Sequence, residues 1–528
     1  MPLNNTDWKI AFAVPAHRRE LWIDKVLALA ANRAPTLIKV ELKNRICFLP
    51  QNCRRYALKA IATFDSAVFR VEIDPISQGT SEPKVANIIS SEVKWNGSAW
   101  KIASTFQAAL LLLDLDILVW LIDGAPDESI LKIAKRGVWR YQYGRSDKSS
   151  TAGFPEVLMR QFLVKTRLIQ NRYGVPIPQL LYISHSGIDR ESLSRTRAHL
   201  LLQSAEFISR VLSNSCEQPR ANILPGAAPQ KVIPWGGAGQ VLRHGVQTFV
   251  RRCRKRIREQ WILGYSFNCP QAVIPALPPK LSEIIPPDDR SWIDPFPVSY
   301  NGKYYIFTEE LVFSETRGKI IVMELRPDGS RSSPVVALER PYHLSYPFIF
   351  KWRTEYYMVP ETAEVDRIEL YRCTCWPRSW ERVAVLMENV RAVDTTLVEM
   401  DGLWYLFTTI GGKGVRCTDE LFVFTAKNPL GSWIPMKNNP VLSDVRYGRS
   451  AGRIGCLDGV LFRPAQDCSR RYGGAITIRK ISEISATRFE EEEHSRIGPT
   501  WRSGLIATHT INQSLDLTLV DGCQIIPV

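Results

Sequence analysis

The sequence of 528 residues contains no long uninterrupted hydrophobic run. Its most apolar stretch, residues 108–122, includes Asp114 and Asp116 and is too short to span a bilayer. The first residues, MPLNNTDWKIAFAV, lack the basic segment and the apolar core of a secretion signal. We therefore expect a cytoplasmic protein.

Metal-binding patterns of cysteine and histidine are also missing. The eleven cysteines are scattered from Cys47 to Cys523, and Cys373 and Cys375 are too close in sequence for a zinc-binding pair. We expect no metal, no other cofactor and a reducing compartment.

Charge is unevenly balanced, with a formal net charge of +15. This excess predicts an anionic partner, such as a nucleotide-sugar, an acidic glycan, a phospholipid surface or nucleic acid. Residues 251–258, RRCRKRIR, are either a solvated helix face or a segment that docks peripherally on an anionic membrane. No DNA- or RNA-binding motif accompanies them, so we expect no nucleic-acid partner.

The second half of the sequence contains a repeated β-hairpin pattern. Alternating apolar residues flank turn dipeptides such as Asn301-Gly302 and Asp401-Gly402, which accept the positive φ of tight hairpin turns. Copies begin near Asp294, Ser345, Val393, Ala451 and Ser514. A repeat of roughly 50 residues without helices is typical of propeller blades.

The repeats predict a five-bladed β-propeller over residues 260–528. The fifth copy ends after two strands, and residues 260–265 and 281–285 are strand-like segments that precede the first copy. We expect these segments to supply the outer strands of the fifth blade, because this closure leaves no exposed sheet edge.

The first half has a different pattern, in which short apolar strands alternate with helices. This order is typical of a parallel sheet covered by helices. We predict an α/β domain over residues 1–222 and a linker with a basic helix over 223–259. The predicted strands span residues 8–14, 36–42, 114–122 and 138–143, and the predicted helices span 18–32, 128–137 and 190–212.

The segment DLDILVWLIDG, followed by ILKIAKRGVWRYQYG and AGFPEVL, resembles the formyltransferase family. The resemblance implies a Rossmann-type domain. Formyltransferases carry an Asn-x-His pair on the strand after this helix, where this sequence has Arg140 and Gln142. Neither side chain titrates near neutral pH, so we expect a degenerate active site and a scaffold or binding role. His185 lies nearby and is expected to be structural.

Residues 290–512 resemble the N-terminal domain family named after plant glucosamine inositolphosphorylceramide transferase. The phrases that carry the resemblance are YHLSYPF, YYMVPET, RAVDTTL, SDVRYGRSAGR and RPAQDC. The family has a separate glycosyltransferase domain after this one. We find no counterpart before Val528, so the resemblance carries no expectation of glucosaminyl transfer.

The predicted propeller is also similar in layout to glycosidases of the arabinanase and invertase type. In these enzymes, carboxylates on the first strands of different blades meet at the central axis, which predicts that Asp294 and Asp394 converge. Glycoside cleavage needs an acid and a base roughly 5 to 9.5 Å apart. The glycosidases take their acid from blade four, where the equivalent residue is Ala451, so we assign Glu361 as the replacement.

The predicted catalytic residues are therefore Asp294, Asp394 and Glu361. The predicted substrate-binding residues are Glu309, Tyr346, Arg449, Arg453, Arg463, Asp467 and His509. Arginine holds phosphate and carboxylate groups through two parallel hydrogen bonds, so this set predicts an anionic sugar. The structural alternative is that Asp294 and Asp394 cap blade turns and that the arginines pair with Asp444 and Asp467 as buried struts.

Three functions remain open from the sequence. The first is glycosyl transfer or glycoside hydrolysis in glycoconjugate or polysaccharide synthesis, acting on a sugar, a nucleotide-sugar or a glycolipid. The second is glycan binding without turnover. The third, formyl or acyl transfer by the first domain, is disfavoured by Arg140 and Gln142.

Overall fold

The computed structural model describes residues 8–16, 20–33, 36–44, 65, 73–75, 87–96, 98–214, 257–267, 277–278 and 280–527. The predicted linker and most of the basic run lie outside the described residues. The chain forms two compact units, Met1–Arg251 with Lys413–Val415 and Arg252–Gly412 with Arg416–Val528. Within the described ranges, no helix has the length and apolar character needed to cross a membrane.

The first unit is built around an eight-stranded mixed sheet. Its elements are β1 (Lys9–Pro15), α1 (Leu21–Ala31), β2 (Thr36–Asn44), β3 (Asn87–Trp95), β4 (Trp100–Ile102), α2 (Ser104–Leu111), β5 (Ile117–Trp120), α3 (Glu128–Leu131), β6 (Val138–Tyr143), a 3-10 turn (Ser149–Thr151), α4 (Phe154–Leu158), β7 (Leu163–Arg172), β8 (Val175–Gly187), α5 (Leu193–Ser204) and α6 (Phe207–Asn214). The strands lie in the order β4-β3-β2-β1-β5-β6-β7-β8. Strands β3, β2, β1, β5 and β6 are parallel, and the remaining pairings are antiparallel.

Both faces of this sheet are buried. Alternate residues of β1 enter two separate cores: Phe12 packs in one and Ala11 and Ala13 in the other. Helices cover both faces of a parallel sheet, which explains the nearly continuous apolar sequence of β1 and β5. Five of the eight strands are parallel as predicted, but the sheet as a whole is mixed, and the Rossmann-type fold and the resemblance to formyltransferases stay predictions.

Two helix predictions were wrong in extent. The predicted helix 128–137 is only α3, in which the Asp127 carboxylate caps the N–H groups of Ser129 and Ile130. The chain then turns and reaches Gly137, whose φ of +87° ends the segment before β6. The predicted helix 190–212 is interrupted between α5 and α6.

The described part of the second unit forms five sheets that are the blades of a β-propeller. Blade 1 contains β11 (Arg290–Tyr300), β12 (Lys303–Val312), β13 (Lys319–Leu325) and β14 (Val335–Leu338). Blade 2 contains β15 (Ser345–Trp352), β16 (Glu355–Glu361), a 3-10 turn (Ala363–Val365), β17 (Arg367–Cys375) and β18 (Ser379–Glu388). Blade 3 contains β19 (Arg391–Met400), β20 (Leu403–Gly411), β21 (Glu420–Ala426), β22 (Ile434–Pro435) and β23 (Leu442–Ser443).

Blades 4 and 5 each have a first strand that is interrupted. Blade 4 contains β24 (Arg449–Ser450), β25 (Gly455–Leu457), β26 (Val460–Asp467), β27 (Ala475–Ile484) and β28 (Phe489–Ile497). Blade 5 contains β29 (Leu505–Ala507), β30 (Ile511–Ser514), β31 (Leu517–Pro527), β9 (Ile257–Ser266) and β10 (Ser282–Ile284).

The fifth blade joins the two ends of the propeller sequence. Strand β31 pairs along its length with β9, which in turn pairs with β10, so the predicted closure is confirmed. The Asp521-Gly522 dipeptide has the composition of a hairpin turn but lies inside β31. A Cβ atom at Gly522 would come within 2.5 Å of the Trp501 ring, so glycine is needed there for packing.

Candidate functional site

Blades 1, 2 and 3 each have an irregularity at the same point of the first strand. The pairing register shifts between Ile293 and Phe296, and the residue inside the bulge, Asp294, has a φ of +53°. Tyr346 and Asp394 occupy the corresponding bulges, with φ of +44° and +50°. Such angles are uncommon for residues other than glycine, and β-bulges change the direction of a side chain.

These bulges bring side chains from different blades together. Asp294 accepts a hydrogen bond from Thr510 of blade 5, Tyr346 contacts Thr396 of blade 3, and Asp394 binds Arg449 of blade 4. His509 stands two residues before Ile511, the same offset that separates Asp294 from Phe296. The five blades therefore surround a common axial cluster.

Asp394 is the most strongly paired carboxylate of the cluster. Arg449 donates to it from Nε at 2.6 Å and from Nη2 at 3.1 Å, and Gln466 Nε2 donates at 2.8 Å. The Asp394 side chain is 2% exposed. Bidentate bonding to a guanidinium fixes the orientation of a carboxylate, so Asp394 is held in place beside Arg449.

Glu361 shares the same arginine at a longer distance. Its Oε2 lies 3.5 Å from Arg449 Nη2. Burial raises the pKa of Glu361 to about 8, because the attraction of Arg449 is outweighed by desolvation and by the neighbouring Asp394. Glu361 is therefore a proton carrier at neutral pH.

The environment of Asp294 differs from those of Asp394 and Glu361. Burial raises its pKa to about 6; His509 opposes this shift, while Asp394 and Asp521 add to it. At neutral pH Asp294 is mostly ionised and Glu361 mostly protonated. The cluster thus contains one carboxyl suited to accept a proton and one suited to donate it.

Glu309 lies beside these groups in a fourth environment. Burial, together with the charges of Asp294 and Glu361, raises its pKa well above the usual range. His343 Nδ1 accepts the N–H of Gly318, so its Nε2 carries the proton that faces Glu309 Oε1 at 3.5 Å.

His509 is buried between two aspartates. Its Nδ1 lies 2.7 Å from Asp521 Oδ2, and its Nε2 lies 3.6 Å from Asp294 Oδ1. The three side chains are close enough to share an ion. However, the Asp521 carboxylate already accepts backbone N–H groups from Asp294, His509 and Thr510. These bonds orient Asp521, whereas His509 Nδ1 makes no hydrogen bond within the described residues despite its 2.7 Å approach to Asp521 Oδ2.

The predicted position of Asp467 needs correction by one residue. Strand pairing places Glu309 opposite Ile293, Glu361 opposite Ser345 and Gln466 opposite Arg449. Gln466 thus occupies the equivalent place in blade 4. A shift of one residue reverses the side chain of a strand, and Asp467 accordingly pairs with Arg496.

Two predicted substrate-binding arginines are also held elsewhere. Arg463 forms a bidentate pair with Glu491 at 2.7 and 2.9 Å. Arg453 donates to the Ile349 carbonyl at 2.6 Å, and burial lowers its pKa to about 10. Arg463 and Arg453 are thus internal struts, but their partners are Glu491 and a backbone carbonyl and not the expected Asp444 and Asp467.

The cluster contains more carboxyl groups than cations. Five carboxyl side chains surround the axis, those of Asp294, Glu309, Glu361, Asp394 and Asp521. Arg449 is committed to Asp394 and Glu361, so among the described residues of the cluster no arginine is left to hold a phosphate or carboxylate. The prediction of an anionic sugar therefore gains no support from these contacts.

Sequence reasoning missed Gln466, Thr510, Asp521 and Tyr472. The ring of Tyr472 lies 5.0 Å from the guanidinium carbon of Arg449 and edge-on to His509, and Tyr472 is 45% exposed. It connects the buried cluster to solvent. The sequence RPAQDC predicted a site in this part of blade 4. Only the strand register shows that the side chain at the site is Gln466 and not Asp467.

In the first unit, a small cavity lies at the carboxyl ends of β5 and β6. Arg140 lines it together with Trp22, Trp120, Asp123 and Tyr143. Gln142 accepts from Arg167 at 3.4 Å, and His185 lies on β8 opposite Lys165. This arrangement brings neither Gln142 nor His185 to the lining of the cavity.

Comparison with known proteins places the similarity in the propeller. Residues 287–500 match the family model described as "Glucosamine inositolphosphorylceramide transferase 1, N-terminal". The protein of that name from Oryza sativa subsp. japonica is 35% identical over 202 residues, which cover 38% of this chain and 27% of the relative. Its counterpart from Arabidopsis thaliana is 33% identical over 204 residues, covering 38% and 26%. The chain thus spans about a quarter of the length of these curated relatives.

Solved structures with similar regions include glycoside hydrolases. Zg3597 from Zobellia galactanivorans, of glycoside hydrolase family 117, has a TM-score of 0.33 and 11% identity, with 50% of this chain and 91% of that chain covered. A β-xylosidase/α-arabinofuranosidase from a compost metagenome has a TM-score of 0.34 and 13% identity, with 45% and 90% covered. The similarity to the family model "Glucosamine inositolphosphorylceramide transferase 1, N-terminal" thus lies within the propeller, over residues 287–500.

Proposed function

We propose that the propeller processes a carbohydrate by making or breaking a glycosidic bond at its axis. Glu361 would protonate the oxygen of the departing group, and Asp294 would accept the proton of the attacking hydroxyl. Asp394 would remain charged and stabilise positive charge that develops on the sugar ring. The observation that carries this proposal is the convergence of three carboxyls in three different protonation environments.

The substrate class follows from the charge of the cluster. An acidic sugar would meet carboxylates without a free arginine, whereas a neutral sugar or the ammonium group of an amino sugar would not be repelled. The matched relatives are named for a glucosamine-containing glycolipid, which agrees with an amino sugar in a glycoconjugate. We therefore place the protein in glycoconjugate or polysaccharide synthesis.

The test is a product screen with the full chain. Neutral, amino and acidic oligosaccharides and the corresponding nucleotide-sugars would be incubated with it and analysed by mass spectrometry. We expect products from neutral or amino sugars, and their loss in Asp294→Asn and Glu361→Gln variants with melting temperatures within a few degrees of wild type. Asp401→Asn is the matched control, because Asp401 is an exposed turn residue with a φ of +52° that asparagine tolerates.

Unchanged turnover in the Asp294→Asn variant would contradict the mechanism. Glycan binding without turnover is the second candidate, and the commitment of Arg449 to both Asp394 and Glu361 favours it. In that case, calorimetry would detect saturable sugar binding while no product forms. The binding would weaken in the Glu361→Gln variant and persist in Asp401→Asn.

A further inference from the structure

The first unit contains two arginines that no carboxylate neutralises. Arg140 Nε on β6 donates a hydrogen bond to Asn171 Oδ1 at 3.0 Å. Arg167 Nη1 on β7 donates to Gln142 Oε1 at 3.4 Å. In the part of the chain that the structure describes, neither guanidinium has another hydrogen bond or an acid within ion-pair distance. Both acceptors are neutral amides, so the two positive charges have no counter-ion.

Strand register places these two arginines on one face of the sheet. Gln142 pairs directly with Arg167, and Arg140 precedes Gln142 by two residues. Residues that lie opposite each other, or two apart on one strand, share a face, so Arg140 and Arg167 are diagonal neighbours, a separation of about 7–8 Å. Lys165, which is exposed, follows on the same face two residues before Arg167. This part of the face is therefore basic.

The arrangement is costly without a ligand. Arg167 is 7% exposed, and Arg140 is half-buried. Burial lowers the pKa of both guanidinium groups, and for Arg140 the more distant Asp147 opposes this shift. A buried charge without a partner weakens a fold, and like charges on neighbouring strands repel each other. An anion bound between the two guanidinium groups would remove both penalties.

The arginines lie beside the place where open α/β sheets bind ligands. In the sheet, β1 stands between β2 and β5, so the chain continues from β1 to one side and later returns to the other. Ligands of such sheets bind outside the carboxyl ends of the strands at this switch point. The cavity there is lined by Trp22, Asp123 and Arg140, among others. The Asp123 carboxylate already accepts hydrogen bonds from Ser149 and Ser150, which leaves the charge of Arg140 available to a ligand.

We propose that the first unit binds a phosphate group between Arg140 and Arg167. Arginine holds phosphate through paired N–H groups, so two arginines can bind several of its oxygens at once. A phosphate monoester carries a charge of about −1.5 to −2 near pH 7, which balances both guanidinium groups, whereas a carboxylate balances one. The anionic partner that the net charge predicts is thereby assigned to the first unit. The site involves none of the axial residues of the propeller.

The test is thermal unfolding of the full chain with inorganic phosphate, pyrophosphate or malonate as the probe, at an ionic strength held constant with sodium chloride. Wild type is compared with Arg140→Met and Arg167→Met. Without a probe, both variants should melt at least as high as wild type, because each removes a charge that has no partner. Phosphate and pyrophosphate should stabilise wild type in a saturable way.

The apparent dissociation constant for the phosphate probes should rise in each variant by roughly tenfold or more, because a hydrogen bond to a charged group contributes that much. Arg172→Met is the matched control. Arg172 is an exposed arginine on the same strand β7, and it donates to Gln170 at 3.3 Å. Its removal should leave the response to phosphate unchanged.

Several results would overturn the proposal. Variants that melt well below wild type without a probe, or that fail to fold, would identify Arg140 and Arg167 as structural residues. Equal stabilisation of wild type and both variants would be a general salt effect, and stabilisation by malonate alone would exclude a phosphate ligand. No stabilisation by either phosphate probe would also contradict it. These measurements involve no sugar and no turnover, so their failure would leave the function proposed for the propeller untouched.

Discussion

Removing the positive charge of Arg449 tests whether the axial acids are held as the structure indicates. In Arg449→Met, Asp394 loses donors at 2.6 and 3.1 Å, and Glu361 loses a cation at 3.5 Å. The side chains of these residues are 12%, 2% and 13% exposed, so solvent cannot replace the lost charge. Removing one partner of a buried ion pair costs about 3–5 kcal/mol of unfolding free energy.

The loss of unfolding free energy in Arg449→Met should increase with pH. Without Arg449, Asp394 and Glu361 would be buried without this cation, and burial favours the neutral form of a carboxyl. The folded variant then binds more protons than the unfolded chain, so its stability increases as pH falls. The deficit relative to wild type should therefore be largest near pH 8 and smaller near pH 5.

The assay is urea unfolding followed by tryptophan fluorescence at both pH values. Asp394→Asn in the Arg449→Met background should recover part of the loss at pH 8, because it removes the unpaired charge. Arg326→Met is the matched control: Arg326 is 53% exposed and pairs with Glu324 at the surface, so its removal should cost at most about 1 kcal/mol. An equal deficit at both pH values, or no recovery in the double variant, would refute the reasoning.

Three further predictions concern the same propeller. In the wild type, the raised pKa of Glu361 makes the free energy of unfolding fall by up to about 1.4 kcal/mol per pH unit between the unfolded pKa of this group and about pH 8. Glu361→Gln should abolish this fall. Urea midpoints that vary with pH in the same way in both proteins would contradict the prediction. Gly473→Ala should cost about 1–3 kcal/mol, from its positive φ and its contact with His509, and an unchanged melting temperature would exclude that contact. Arg463→Met should lose about 1–3 kcal/mol, because it removes two hydrogen bonds to Glu491 but leaves Arg479 3.1 Å from that carboxylate, and it should keep sugar affinity per folded molecule, measured by calorimetry; weaker affinity would assign Arg463 to the site.

The turns of the propeller were predictable because their chemistry is local. Asn301, Asp401 and Asp458 each have a φ near +50° and are followed by glycines at positive φ. These dipeptides fix the hairpins of blades 1, 3 and 4, whereas blade 2 turns at Arg353 and blade 5 at Leu515, which no such dipeptide marks. The closure by β9 was also predictable, since a fifth sheet with only two strands would leave an open edge.

The partners of the charged residues were not predictable in the same way. Counting from the turn fails in blade 4, where the first strand is interrupted between Ser450 and Gly455, so Gln466 could not be separated from Asp467. Whether an arginine side chain points to the axis or forms an ion pair inside a blade depends on strand register and on the neighbouring blades. Arg449 and Arg463 therefore look alike in sequence although one binds Asp394 and the other Glu491.

In the first unit, too, some features were predictable from the sequence and others were not. Alternation of strands and helices was enough to predict β1, α1 and β2, because each segment has its own apolar pattern. The length of α3 was not predictable, since residues 128–137 have helical composition but only Glu128–Leu131 form a helix. Tertiary packing overrides propensity in such short segments.

The cost of the axial cluster argues that it was retained for function. Asp294, Tyr346 and Asp394 each have positive φ, a conformation that costs of order 1–3 kcal/mol per residue. The same place holds carboxyls whose burial raises their pKa, and this also weakens the fold at neutral pH. Apolar side chains at these positions would pack the axis without either penalty. Strain and unfavourable charge coincide in one place, and the same bulge recurs in three blades, which is why we propose this cluster as the functional site.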